Sequence, residues 1–88
     1  MIEQDVVILS DAGVHARPAM ILVQEAMKYP CEISLVKDTV EANGKSIMSV
    51  LGLAITPGSK IIIRADGQGE EEAVKKLVSI IEEDFNKS

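Results

Sequence analysis

The segment Gly13-Val14-His15-Ala16-Arg17-Pro18-Ala19-Met20 contains the only histidine of an 88-residue chain. Proline within the first turn of a helix costs little, because its missing N–H would have lacked an intrahelical partner anyway. The unpaired first-turn N–H groups of Ala16 and Arg17, together with the positive end of the helix dipole, then form a place that welcomes an anion. An imidazole at such an entrance holds its proton less tightly, which favours a neutral, nucleophilic ring near pH 7. Arg17 adds a guanidinium on which a phosphoryl group carried by that ring could lean. The constellation therefore suits a phosphohistidine, although a lone histidine near Arg and Pro also suits a purely structural role, and composition leaves both open. A histidine acting as general base would need a partnered nucleophile or metal ligands, and the distant Cys31 supplies neither.

Three further features carry possible chemistry. Ser46 is placed to cap a short helix, where its hydroxyl would accept one of the free first-turn N–H groups for about 1 kcal/mol. Met20, Ile47, Met48 and Leu51 form a candidate partner-docking face, each of which could equally belong to the core; methionine repacks easily against several partners. Cys31 is a small semi-buried hydrophobe rather than a redox centre, since no second cysteine and no nearby histidine assist it.

These residues must be positioned by surrounding elements. Glu3 to Ser10 reads as a strand entering a turn, and Ala16 to Lys28 as a helix with small and apolar residues at 16, 19, 20, 23, 26 and 27, stopped by Tyr29-Pro30. Glu32–Lys37 and Thr39–Ala42 read as a hairpin, and the turn signal Asn43-Gly44 introduces a short helix too apolar for one face, ended by Thr56-Pro57-Gly58. Lys60 to Ala65 is a buried strand. Glu70 to Phe85 is a final helix with Ala73, Val74, Leu77, Ile80, Ile81 and Phe85 on one face. Its first turn holds Glu70, Glu71 and Glu72, and Glu71–Lys75 and Glu72–Lys76 have i,i+4 spacing. Glu82, Glu83 and Asp84 stand at the unfavourable end of that dipole, with no sequence-level explanation.

The order β-α-β-β-α-β-α implies an α+β open-faced β-sandwich: a four-stranded antiparallel sheet with three helices on one face and the other face wet. A ferredoxin-like plait shares the first six elements and competes with it. A chain of this length buries about 60–65 % of its unfolded surface, so residues 1–88 should form a single domain.

Composition excludes several function classes. Fourteen acidic residues outnumber nine basic ones, for a formal net charge of −5, and aromatic residues make up 2 %. Direct nucleic-acid binding is not expected on either count. No apolar run is long enough to span a bilayer, and no metal or nucleotide motif is present, so neither membrane insertion, a metal nor another cofactor is expected. A single cysteine permits no internal disulfide, which favours the cytoplasm.

The two motifs together resemble the HPr family, histidine-containing phosphocarriers of the bacterial phosphoenolpyruvate:sugar phosphotransferase system. Gly13 to Ala19 is similar to that family's active-site signature. Lys45-Ser46-Ile47-Met48-Ser49-Val50-Leu51 is similar to its regulatory serine segment, at the family's spacing. The resemblance implies that His15, through Nδ1, accepts a phosphoryl group from phosphorylated Enzyme I and passes it to sugar-permease IIA domains. Arg17 would steady the group in transit, and the Ala16 and Arg17 amides would receive its oxygens. Ser46 would be the target of an ATP-dependent HPr kinase/phosphorylase, with a catabolite control repressor as partner of the phosphoserine form. The resemblance further implies a monomer that is a relay carrier rather than a stand-alone catalyst. Ala12 departs from the Ser, Thr or Asn of many relatives, and some relatives are regulatory paralogues that lack the histidine altogether.

Overall fold

The computed structural model describes residues 1–9 and 16–85, with the side chains of Ala16, Arg17, Asp84 and Phe85 outside the description. The elements run β1 (Ile2–Val7), α1 (Ala16–Ala26), β2 (Glu32–Lys37), β3 (Val40–Asn43), α2 (Ile47–Leu51), β4 (Lys60–Asp66) and α3 (Glu70–Ile80). A π-helical turn, Ile81–Phe85, follows α3. The expected order is observed, with small shifts at the ends. β1 stops at Val7; Ile8 and Leu9, expected within it, lie outside the strand, and Ser10 falls outside the described residues. α1 stops at Ala26 rather than Lys28 because its last turn tightens: Lys28 N–H donates to Glu25 O at 3.1 Å and Tyr29 N–H to Ala26 O at 3.2 Å ahead of Pro30.

The strands form one antiparallel sheet in the order β1-β4-β2-β3. β1 and β2 both run antiparallel to β4, so they are parallel to each other, with α1 as the crossover between them. A ferredoxin-like plait would centre β1 and β3; here β4 and β2 are central and β1 and β3 form the edges. The open-faced sandwich is therefore the fold.

Strand parity sorts the two faces. Ile33 and Leu35 of β2 and Ile61, Ile63 and Ala65 of β4 are buried beneath the helices. Glu3, Asp5, Glu32 and Glu41 are exposed on the opposite parity. There Arg64 donates to Glu3 Oε2 at 2.8 Å and to Glu41 Oε2 at 3.3 Å. β2's inward parity ends on Lys37, opposite Ile61.

The helices complete the core with Ala19, Leu22, Val23 and Ala26 from α1 and Ala73, Val74, Leu77, Val78 and Ile80 from α3. Leu22 replaces Met20 and Met27 on the face expected of α1. The segment Ala19-Met20-Ile21-Leu22-Val23 is apolar all round, so periodicity alone could not orient it. Among the described residues, no ion pair forms at the i,i+4 spacings of α3. Such contacts instead join Lys28 to Glu25, Lys60 to Asp5 and Arg64 to Glu3 and Glu41. At the acidic end of α3, the Ser79 hydroxyl donates to the Glu83 carboxylate, which gives that residue a local partner.

Candidate functional site

α1 begins at Ala16, the residue after His15 in the sequence, and carries Pro18 in its first turn and no acidic residue there. An eleven-residue helix of this kind has its free N-terminal amides and the positive dipole end at its Ala16 end. His15 itself and Ala12 lie outside the described residues, as do the side chains of Ala16 and Arg17. Met20, one turn into α1, is 51 % exposed.

α2 starts where the turn after β3 is locally programmed. Asn43 Oδ1 accepts the Lys45 N–H at 2.9 Å, and Asn43 O accepts the Ser46 N–H at 3.0 Å. These bonds leave Ser46 extended, at φ −121° and ψ 117°, with its hydroxyl accepting the Ser49 N–H at 3.3 Å. Ser46 is thus the helix N-cap that its residue type and position suggested. It is half-buried.

The four residues expected to dock partners divide into two pairs. Met48 is 78 % exposed and, with Met20, presents thioether surface to solvent. Ile47 and Leu51 are half-buried and pack against the core, so they contribute only their outer edges. α1 and α2 pack against each other, which sets the two exposed methionines on neighbouring elements.

Sequence reasoning passed over the polar groups that join these helices. Lys45 Nζ donates to Tyr29 O at 2.6 Å, just beyond the end of α1. Tyr29 Oη donates to Glu25 at 3.3 Å, and Lys28 Nζ lies 3.2 Å from the other oxygen of that carboxylate. Burial first, and then the Glu25 charge, push the Tyr29 phenol above its ordinary value. Lys37 Nζ donates to Leu53 O at 3.2 Å and Ala54 O at 3.0 Å, just past α2. Its signal was present in Glu32-Ile33-Ser34-Leu35-Val36-Lys37, where alternation places the lysine on the parity of Ile33 and Leu35.

Cys31 is buried, in keeping with a packing role. Among the described residues, no group of three His, Cys, Asp or Glu side chains could hold a metal ion. No described helix is long and apolar enough to cross a membrane.

A family model described as the PTS HPr component phosphorylation site matches residues 2–83. The phosphocarrier protein HPr of Treponema pallidum is 38 % identical over 85 residues, covering 97 % of each chain. The HPr-like protein Crh of Bacillus subtilis is 37 % identical over 84 residues, covering 96 % of this chain and 99 % of that one. Among solved structures, HPr of Thermoanaerobacter tengcongensis superposes with a TM-score of 0.94 at 40 % identity, over 100 % of this chain and 99 % of its own. With matches spanning the sheet, the helices and both motifs, the chain belongs to the HPr family of phosphotransferase-system phosphocarriers.

Proposed function

We propose that the chain carries a phosphoryl group on His15, accepting it from phosphorylated Enzyme I and delivering it to IIA domains of sugar permeases. The observation that carries this reading is the family match across residues 2–83, which includes His15-Ala16-Arg17-Pro18 directly at the start of α1. Donor phosphohistidine and the His15 ring exchange the phosphoryl group: the N–P bond to the donor breaks as the Nδ1–P bond on His15 forms. The group then leaves in the same way to the acceptor. Arg17 and the amides of Ala16 and Arg17 offset the charge on its oxygens. Such a protein is a covalent carrier rather than a stand-alone catalyst, requires no cofactor of its own, and works in the cytoplasm as one domain spanning 1–88.

Ser46 is the regulatory site in this reading. ATP and magnesium would belong to HPr kinase/phosphorylase. Phosphate on the hydroxyl sits beside Ile47 and Met48 and adds roughly two negative charges to an otherwise apolar docking face formed with Met20 and Leu51. The modified form would then suit a catabolite control repressor. Incubation with phosphoenolpyruvate and Enzyme I tests the carrier role: the wild type becomes labelled and His15→Ala does not. Phosphorus NMR then separates phosphohistidine from phosphoserine.

Similarity to Crh supports a second reading, a regulatory paralogue acting in carbon or nitrogen control through its phosphorylation state. Absence of His15 labelling with intact Ser46 labelling would favour it. We infer a monomer, which sedimentation can check, since a Bacillus subtilis Crh and a Thermoanaerobacter tengcongensis HPr are described as dimers.

A further inference from the structure

α2 has five residues. A helix that short cannot hold its own conformation, because the cost of nucleation is not recovered by so few hydrogen bonds. Its N-cap is Ser46 and its one fully buried side chain is Val50, so the direction in which Met48 points depends on what fastens the ends.

Two lysines do this. At the C-terminal end, Lys37 reaches from the inward parity of β2 to Leu53 O at 3.2 Å and Ala54 O at 3.0 Å. Those carbonyls follow the last helical turn, where the dipole and the unpaired acceptors favour a cation. They are also held in an unusual backbone, since Ala54 has φ +51°. At the N-terminal end, Lys45 precedes the cap and reaches to Tyr29 O at 2.6 Å, beyond the end of α1. One ammonium thus fastens α2 to the sheet and the other fastens it to α1. Lys28 and Lys60, by contrast, contact carboxylates.

We propose that Lys37 and Lys45 are positioning residues that clamp the two ends of α2 and thereby orient Ser46 and Met48 for the protein that delivers phosphate. The partner half of this proposal rests on the phosphocarrier reading; the clamp itself does not. Methionine at either position keeps the length of the stem and removes the donor. Arginine at 37 can address both carbonyls through its fork.

Residue-resolved hydrogen exchange and Enzyme I-dependent phosphorylation test the two halves. In Lys37→Met and in Lys45→Met, the Val50 and Gly52 amides, which close the bonds to Ser46 O and Met48 O, should exchange about tenfold faster. The amides of Ile61 and Ile63 in β4 should keep wild-type rates, and Lys37→Arg should restore α2. With phosphoenolpyruvate and Enzyme I, the Met variants should show a KM several-fold higher with kcat unchanged. Equal acceleration in α2 and β4, no acceleration in α2, or no rescue by Arg overturns the clamp. Faster α2 exchange with wild-type KM overturns its role in docking. If even the wild type accepts no phosphate, the phosphocarrier reading and the docking role fall together, and exchange alone still decides the clamp.

Discussion

The hydroxyl of Ser46 accepts the backbone N–H of Ser49 at 3.3 Å, so the side chain proposed above as a phosphorylation target is also the one that begins α2. The two roles respond differently to substitution. Ser46→Ala removes the cap and should lower stability by about 1 kcal/mol, a Tm loss of about 4–8 °C for a domain of this size. Ser46→Asp keeps an acceptor and adds charge that a helix start tolerates, so its Tm should stay near wild type. Transfer from Enzyme I to His15 should nevertheless slow in Ser46→Asp. Calorimetry and a labelling time course measure both quantities; a large Tm loss in the Asp variant would show that the serine is chiefly structural.

Two small residues flanking α2 should respond in opposite directions to exchange of glycine and alanine. Ala54 occupies the left-handed region at φ +51°, a conformation that costs a non-glycine residue about 1–2 kcal/mol. Part of that is offset by the extra freedom of glycine in the unfolded chain, so Ala54→Gly should gain about 0.5–1 kcal/mol in denaturant titrations. Gly44 is needed for a close approach: a Cβ there would stand 2.6 Å from Ile33 Cγ2 and 3.1 Å from Ile33 O. Because Gly44 N–H also donates to Ile33 O at 2.7 Å, the backbone cannot retreat without losing that bond. Gly44→Ala should cost about 1–3 kcal/mol. A neutral Gly44→Ala would mean that the β2–β3 end is looser than its spacing implies.

Local pattern was informative wherever it mapped onto local structure. The alternation of Glu32-Ile33-Ser34-Leu35 gives the buried parity, Asn43-Gly44 gives the turn, and Ser46 gives the cap. The placement of β4 between β1 and β2 has no such local signature, because pairing between strands far apart in sequence is decided by how their apolar faces meet; for that, family resemblance was the stronger guide. α1 shows the limit most clearly, since with Met20, Ile21, Leu22 and Val23 in succession only packing selects Leu22 and Val23 for the core. Lys37 was legible in parity yet unrecognised, as a lysine on a buried parity is understood only once acceptors for its ammonium are located. The serine half of the candidate site was legible as capping chemistry, whereas the regulatory role assigned to it came from resemblance.

Acid should weaken the β4–α3 corner through Glu70. Its carboxylate accepts the Gly67 N–H at 3.0 Å and lies 3.1 Å from the Met1 ammonium. The Gly67 bond first, and the ammonium second, hold Glu70 below the usual carboxylate value. The folded state thus binds this proton less tightly than the unfolded chain. The contribution to stability is present above the unfolded pKa and is lost as pH falls through the lower folded one. Glu70→Gln should therefore be less stable than wild type near neutral pH, with the two melting curves converging below about pH 4. A difference that persists undiminished at pH 3 would assign Glu70 a role independent of its charge.

Met48 and Val50 lie two residues apart on α2 but on opposite sides, at 78 % and 1 % exposed. The contrast separates docking from folding. Val50→Ala removes two methyl groups from the interior and should cost about 1–3 kcal/mol through lost burial and the cavity left behind. Met48→Ala removes side-chain atoms that mostly contact water in the free protein, so its Tm should change by less than about 2 °C. If Met48 enters a partner's interface, its truncation exposes apolar surface only in the complex, and the loss falls on association. Titration of unphosphorylated protein against Enzyme I should then show binding at least about fivefold weaker for Met48→Ala, with a smaller loss for the half-buried Leu51→Ala once its stability change is subtracted. Wild-type affinity in Met48→Ala would remove α2's exposed methionine from the docking face and leave α1, through Met20, as the surface to test.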